Sequence, residues 1–192
     1  MPVLPKLLGT NKKPLSMSVD TNQFRIRSAS SAGNDSKFIV AAWDSTLPYL
    51  ASIGAGEMWG DEPFSEREGF IEELDDVIKK SEENDQNDSR RLMVAELETY
   101  VNGTTQIVQV GAAMIRDALP NYLTEREELQ KELKKTRSYL FIEVLISDFR
   151  SQNRVKGAGS ALVQAIKCRA LKQGKDVVYL DVWAGNNRKL NR

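Results

Sequence analysis

Residues 139–147 read YLFIEVLIS, residues 154–159 read RVKGAG, and residues 160–174 and 176–182 read SALVQAIKCRALKQG and DVVYLDV. The first run is short, strongly apolar and rich in β-branched and aromatic side chains, which predicts a central strand. The basic loop from Asp148 to Lys156 leads into a helix expected over 158–173, stopped by Gly174. Asp176 to Val182 reads as another central strand, and Gly185-Asn186-Asn187 caps a further helix that has barely begun at Arg192. A strand, a basic glycine loop, a helix and a strand in this order predict an α/β layer structure.

The upstream chain supplies the rest of the sheet. Gln23 to Arg27 alternates polar and apolar residues, as a half-buried strand does. Asn34-Asp35-Ser36 offers caps for a helix over 37–53, which Pro48 is expected to bend or split. The glycine-rich segment 54–63 reads as a loop with an exposed Trp59. Ser65 with Glu68 forms a capping box, predicting a helix over 66–82 with Phe70, Leu74, Val77 and Ile78 on one face. Strands are expected over 91–99 and 105–115, joined at the hairpin signal Asn102-Gly103. A second capping box, Thr124 with Glu127, predicts a charged helix to about Thr136.

Composition removes several chemistries. The 192 residues suit one domain, and 41% of them are hydrophobic, enough for a core. Histidine is absent, which excludes Ser-His-Asp triads, Cys-His dyads and His-ligated zinc, so a general base must be a carboxylate, a shifted lysine or tyrosine, or water. The single cysteine, Cys168, rules out an intrachain disulfide and reads as packing rather than nucleophile. No apolar run is long enough to span a membrane. Residues 1–20 read as a flexible tail, with Lys6, Lys12 and Lys13 leaving an organellar leader as the alternative. Formal net charge is zero, yet residues 61–100 hold 14 acids against 5 bases, and residues 126–192 hold 15 bases against 7 acids. That asymmetry suits an anion at the C-terminal half and a cation near the middle, or two solvated faces of opposite sign.

The glycine loop is the informative motif. N–H groups at a helix N-terminus are unpaired and favour negative charge, and glycines let backbone approach a phosphate. Arg154 and Lys156 add positive charge, so a pyrophosphate would sit well there. A Walker A loop is excluded by the missing G-x-x-x-x-G-K-[ST]. A Rossmann fingerprint needs a third glycine where Leu162 stands, although Asp181 has the position of a ribose-binding acid.

RVKGAG also matches [QR]-x-x-G-x-[GA], the acyl-CoA loop pattern. With its flanking strands and helix, about 50 residues resemble the cofactor-binding core of the GNAT superfamily of N-acetyltransferases. The loop GEMWGDEPF (56–64) is similar to fungal members. The resemblance implies a GNAT fold over 21–192, a mixed, mostly antiparallel sheet flanked by helices. It also implies transfer of an acetyl group from acetyl-CoA to a primary amine of a small molecule or peptide, with no metal. Leu145, Ile146 and Ser147 would pair with the pantetheine arm. Arg154, Val155, Lys156, Gly157, Ala158, Gly159 and Ser160 would hold the pyrophosphate, and Asn187 would contact CoA. Each has a plainer reading, Ile146 as core and Asn187 as a helix cap.

Glu143 matches the basic glutamate of one branch of the superfamily. It stands among apolar neighbours in its strand, and burial would raise its pKa into a useful range. A structural ion pair with Arg116 is the competing reading. Asp181 is the weaker candidate base. The superfamily's tyrosine acid and closing strands would fall beyond Arg192, and neither Tyr139 nor Tyr179 matches that tyrosine. A chain ending there is expected to be poorly stable and weakly active, which makes a non-catalytic acetyl-CoA-binding module the alternative function. The acidic helix over 66–83 would either attract an amine such as a polyamine or a peptide N-terminus, or be solvated. The helix over 125–136 would cover the acceptor side. Neither nucleic acid nor membrane is expected as a partner, the oligomeric state is open, and the expected compartment is the cytoplasm, with the nucleus as alternative.

Overall fold

A computed structural model describes residues 24–85, 87–101, 103–150, 155–183 and 187. In chain order it contains β1 (Phe24–Ser28), α1 (Asp35–Ser52), α2 (Phe70–Glu82), β2 (Arg91–Val101), β3 (Thr104–Arg116), α3 (Asn121–Thr124), α4 (Glu127–Leu133), β4 (Tyr139–Ser147), α5 (Ala158–Lys172) and β5 (Val177–Leu180). The five strands form one sheet in the order β1-β2-β3-β4-β5. The first three pairings are antiparallel and β4–β5 is parallel. The fold is therefore α/β, with a mixed, mostly antiparallel sheet flanked by helices.

Helices cover both faces of the sheet. On one side α1 and α2 bury Ile39, Trp43, Leu47, Leu74, Val77 and Ile78 against Val94, Ala112, Met114, Val144 and Ile146. Burying side chains of this size contributes about 1.5–3 kcal/mol each. On the other side α5 sets Leu162, Ile166 and Ala170 against Met93, Ala113, Ile115, Leu140 and Ile142. A third cluster joins α3 and α4, through Leu123 and Leu129, to Phe141 and Tyr179.

Two bulges set the phase of the sheet. Ala95 pairs with Gly111 and Glu96 with Gln109, so Val110 is the extra residue in β3. Met114 pairs with Val144 and Ile115 with Ile142, so Glu143 is the extra residue in β4. Up to the second bulge Leu140 and Ile142 face α5; beyond it Val144 and Ile146 face α1 and Leu145 faces α5. The inserted residue shifts the alternation by one. Next to this stretch, a Cβ on Gly111 would lie 2.8 Å from the Ile146 carbonyl oxygen, so only glycine lets β3 run this close to β4.

Five sequence expectations give way. Pro48 does not split the helix: α1 runs unbroken from Asp35 to Ser52, because Trp43, Leu47 and Leu50 on both sides of it are buried and their packing offsets the lost helical bond. The Ser65–Glu68 capping box does not form. Phe64 is pulled into the core and its N–H donates to Asp44 Oδ1 at 2.6 Å, so the segment makes a 3-10 turn and α2 starts after Gly69, whose φ is +72°. The Thr124–Glu127 box fails too, since Thr124 Oγ1 donates back to the Asn121 carbonyl and ends α3. Trp59 is half-buried, its ring 5.7 Å from that of Trp43 and 5.9 Å from that of Phe64. Finally β5 is not central: it spans four residues and, among the described residues, pairs only with β4.

Candidate functional site

The parallel pairing of β4 with β5 begins at Tyr139–Val177 and ends at Ile142–Leu180. β4 continues for five residues past that point, Glu143 to Ser147, with no strand beside that edge among the described residues. The Glu143 bulge adds local twist where the pairing stops. The result is a cleft of about 290 Å³ floored by residues 143–147, walled by Thr46, Tyr49 and Leu50 of α1 and by Met58 and Trp59, and closed by Leu180 and Asp181. Phe149 completes the wall, its ring stacked 4.8 Å from that of Tyr49. The phenylalanine N–H donates to Ser45 Oγ at 2.9 Å, which holds the loop after β4 against α1.

Glu143 is half-buried, and its Oε1 lies 3.3 Å from Arg116 Nη2. Oε2 is buried and accepts no hydrogen bond. Burial pushes the Glu143 carboxyl above the ordinary glutamate range, and the Arg116 charge pulls partly against it. The ion pair with Arg116 read from the sequence forms, and the carboxylate's second oxygen has no hydrogen-bond partner. Arg116 sits opposite Phe141, on the side of the sheet the bulge gives to Glu143.

Asp181, just past β5, accepts from Tyr122 Oη at 3.0 Å through Oδ2, while Oδ1 is buried without a partner. Burial first, then the bond to Asp181, pushes the Tyr122 hydroxyl up to about 12. Tyr122 lies in α3, which no sequence motif ties to the site; only the fold delivers it.

The other expected residues fall as follows. Leu145, Ile146 and Ser147 line the cleft. Val155, half-buried, packs beside the α5 core, and Lys156 is exposed. Gly157 is the N-cap of α5 with φ +107°, and a Cβ there would come within 3.3 Å of the Phe24 ring. Ala158 is buried, Ser160 is exposed, and around Gly159 a Cβ would meet nothing within 4 Å. Among the described residues, no side chain caps this helix. Arg154 lies outside the described residues. Asn187 is exposed with φ +54°, and the helix expected after it lies outside the described residues.

The acidic residues of α2 do not line the cleft. Among the described residues, no group of three or more acidic or cysteine side chains could hold a metal ion, and no helix is long and apolar enough to cross a membrane. No protein-family model matches the chain, and no curated protein matches it.

Proposed function

We propose that the chain transfers an acetyl group from acetyl-CoA to a primary amine. The observation that carries this reading is the edge of β4 from Glu143 to Ser147, with no described strand beside it, opened by a bulge and lined by a carboxylate. A pantetheine arm carries two amides, and amides pair with a bare strand edge as an added strand would. The start of α5, with Gly159 in open space and Lys156 exposed, suits a pyrophosphate. The RVKGAG resemblance to an acyl-CoA loop links these two features in one ligand.

In this reading the amine nitrogen attacks the acetyl carbonyl carbon, the carbon–sulfur bond breaks and the CoA thiolate leaves. The nitrogen gives a proton to Glu143, a stronger base than an exposed glutamate because of its burial. The thiolate takes a proton from water, and Glu143 returns its own to solvent.

Calorimetric titration with acetyl-CoA tests the proposal. Wild type is expected to bind saturably and Gly159→Glu to lose binding, because the new carboxylate enters open space at the helix start without disturbing packing. Gly157→Glu is the poorer probe, since its positive φ costs about 1–3 kcal/mol for any side chain. Glu143→Gln should keep acetyl-CoA binding and lose turnover by roughly 10²-fold or more. Binding without turnover in wild type would leave a non-catalytic acetyl-CoA-binding module. No binding by a folded chain would overturn both.

A further inference from the structure

Resting on the acetyltransferase reading, we propose that Arg67 is a positioning residue. It holds the stretch 56–63, and with it the Met58 and Trp59 wall of the cleft, in place against a ligand lying along β4. The stretch runs between two buried anchors, Ala55 and Phe64. Phe64 is fixed to α1: its N–H donates to Asp44 Oδ1 at 2.6 Å, and its ring stacks 4.6 Å from that of Trp43. Between the anchors the backbone bonds locally, Met58 N–H to the Ala55 carbonyl at 3.0 Å and Gly60 N–H to the Gly56 carbonyl at 2.9 Å. Gly60 turns the chain at φ +76°, and a Cβ there would meet nothing within 4 Å.

Little backs this stretch. Gly56, Glu57, Gly60, Asp61 and Pro63 line a second, open cavity of about 550 Å³, which shares no lining residue with the cleft. Among the described residues, only one side chain from outside 56–63 bonds its backbone. Arg67 Nη2 donates to the Trp59 carbonyl at 2.8 Å and to the Glu62 carbonyl at 3.0 Å. The same guanidinium lies 3.7 Å over the Phe64 ring, so it ties the stretch to its fixed anchor. The Trp59 ring packs edge-on to Trp43 and Phe64, both of the core, so releasing Arg67 moves the wall without unmaking the core. A wall already in place favours binding, because ordering it on association costs free energy.

The test compares wild type with Arg67→Met and Arg67→Lys. Arg67→Met keeps an apolar stem over Phe64 and removes both donated bonds. Arg67→Lys restores a cation with its donors and lacks the Nε that is buried without a partner in wild type. Each chain is titrated calorimetrically with acetyl-CoA and labelled with 5-fluorotryptophan, the Trp59 fluorine resonance being assigned through Trp59→Phe. Arg67→Met is expected to unfold cooperatively in urea, to bind acetyl-CoA about tenfold more weakly or worse, and to show a displaced Trp59 resonance. Arg67→Lys is expected to stay within about threefold of wild type, with the resonance in place. Equal affinity in wild type and Arg67→Met overturns the proposal, as does an unmoved resonance, or an Arg67→Lys chain no better than Arg67→Met. Loss of cooperative unfolding in Arg67→Met overturns it too, since Arg67 would then support the fold and not the wall. If wild type binds no acetyl-CoA, the transferase reading falls and the resonance decides. Displaced in Arg67→Met and in place in Arg67→Lys, it upholds Arg67 as the tie of the cleft wall; unmoved in both, it ends that claim as well.

Discussion

At the scale of single residues, the cleft depends on how Glu143 is held. Its carboxyl is raised by burial and lowered by Arg116, with burial the stronger influence. As a base it works only when ionised, so turnover should fall as pH drops through a value above the ordinary 4.5 of glutamate. Arg116→Gln removes the opposing charge, and the acid limb of kcat/KM should move to higher pH; an unmoved limb would mean that another group titrates. The sequence made Glu143 legible as an acid among apolar neighbours and Arg116 as its partner. It did not reveal the bulge, because each residue flanking Glu143 is apolar and fits either face. Tyr122 was illegible for a different reason: it reaches Asp181 across 59 positions of chain, by way of a short helix that no capping motif announced.

Among the elements, a densely bonded junction lies where β1, α1 and β3 meet. Asp35, fully buried at the first turn of α1, accepts two hydrogen bonds from Arg27, one of them at 2.9 Å. It also accepts from Ser30 N–H at 2.7 Å and from Gln109 Nε2 at 2.6 Å. Arg27 in turn pairs with Glu96 at 2.6 Å, across from Gln109 at the first bulge. Burial alone would raise the Asp35 carboxyl; its bonds to Arg27, Ser30 and Gln109 outweigh burial and hold it below the usual 3.8. A depressed folded-state pKa stabilises above the unfolded pKa and is lost as pH falls through the folded one. Asp35→Asn should therefore cost about 3 kcal/mol at pH 7. Urea melts should show that deficit shrinking below pH 3.8. An equal deficit at pH 7 and pH 3 would contradict this account. From the sequence Asp35 read as one of three helix-capping candidates; the long-range partners that bury it are set by strand order, which local pattern does not encode. The failed capping boxes carry the same lesson, since the burial of Phe64 and Leu123 overrode local caps of about 1 kcal/mol.

For the whole molecule, the strand and helix order was readable because each long element carries its own apolar period, and part of the charge asymmetry falls on two helices on opposite faces. The acids of α2 lie on the side of α1, and the bases Lys167, Arg169 and Lys172 lie on α5 across the sheet. The split favours an anion at α5 without putting an acidic wall around the cleft. The extra residue in β4 has a further meaning for the integrity of this architecture. In the alternation of β4 Glu143 acts as a spacer. With it removed, Leu140, Ile142 and Leu145 still face α5, Phe141, Val144 and Ile146 still face the other way, and the ladder to β3 closes without interruption. A chain lacking this one residue should unfold within about 1 kcal/mol of wild type in urea. Deleting Leu145 instead throws Ile146 onto the wrong face and should abolish cooperative unfolding. The position proposed to perform the chemistry is thus one that the alternation of its strand does not use.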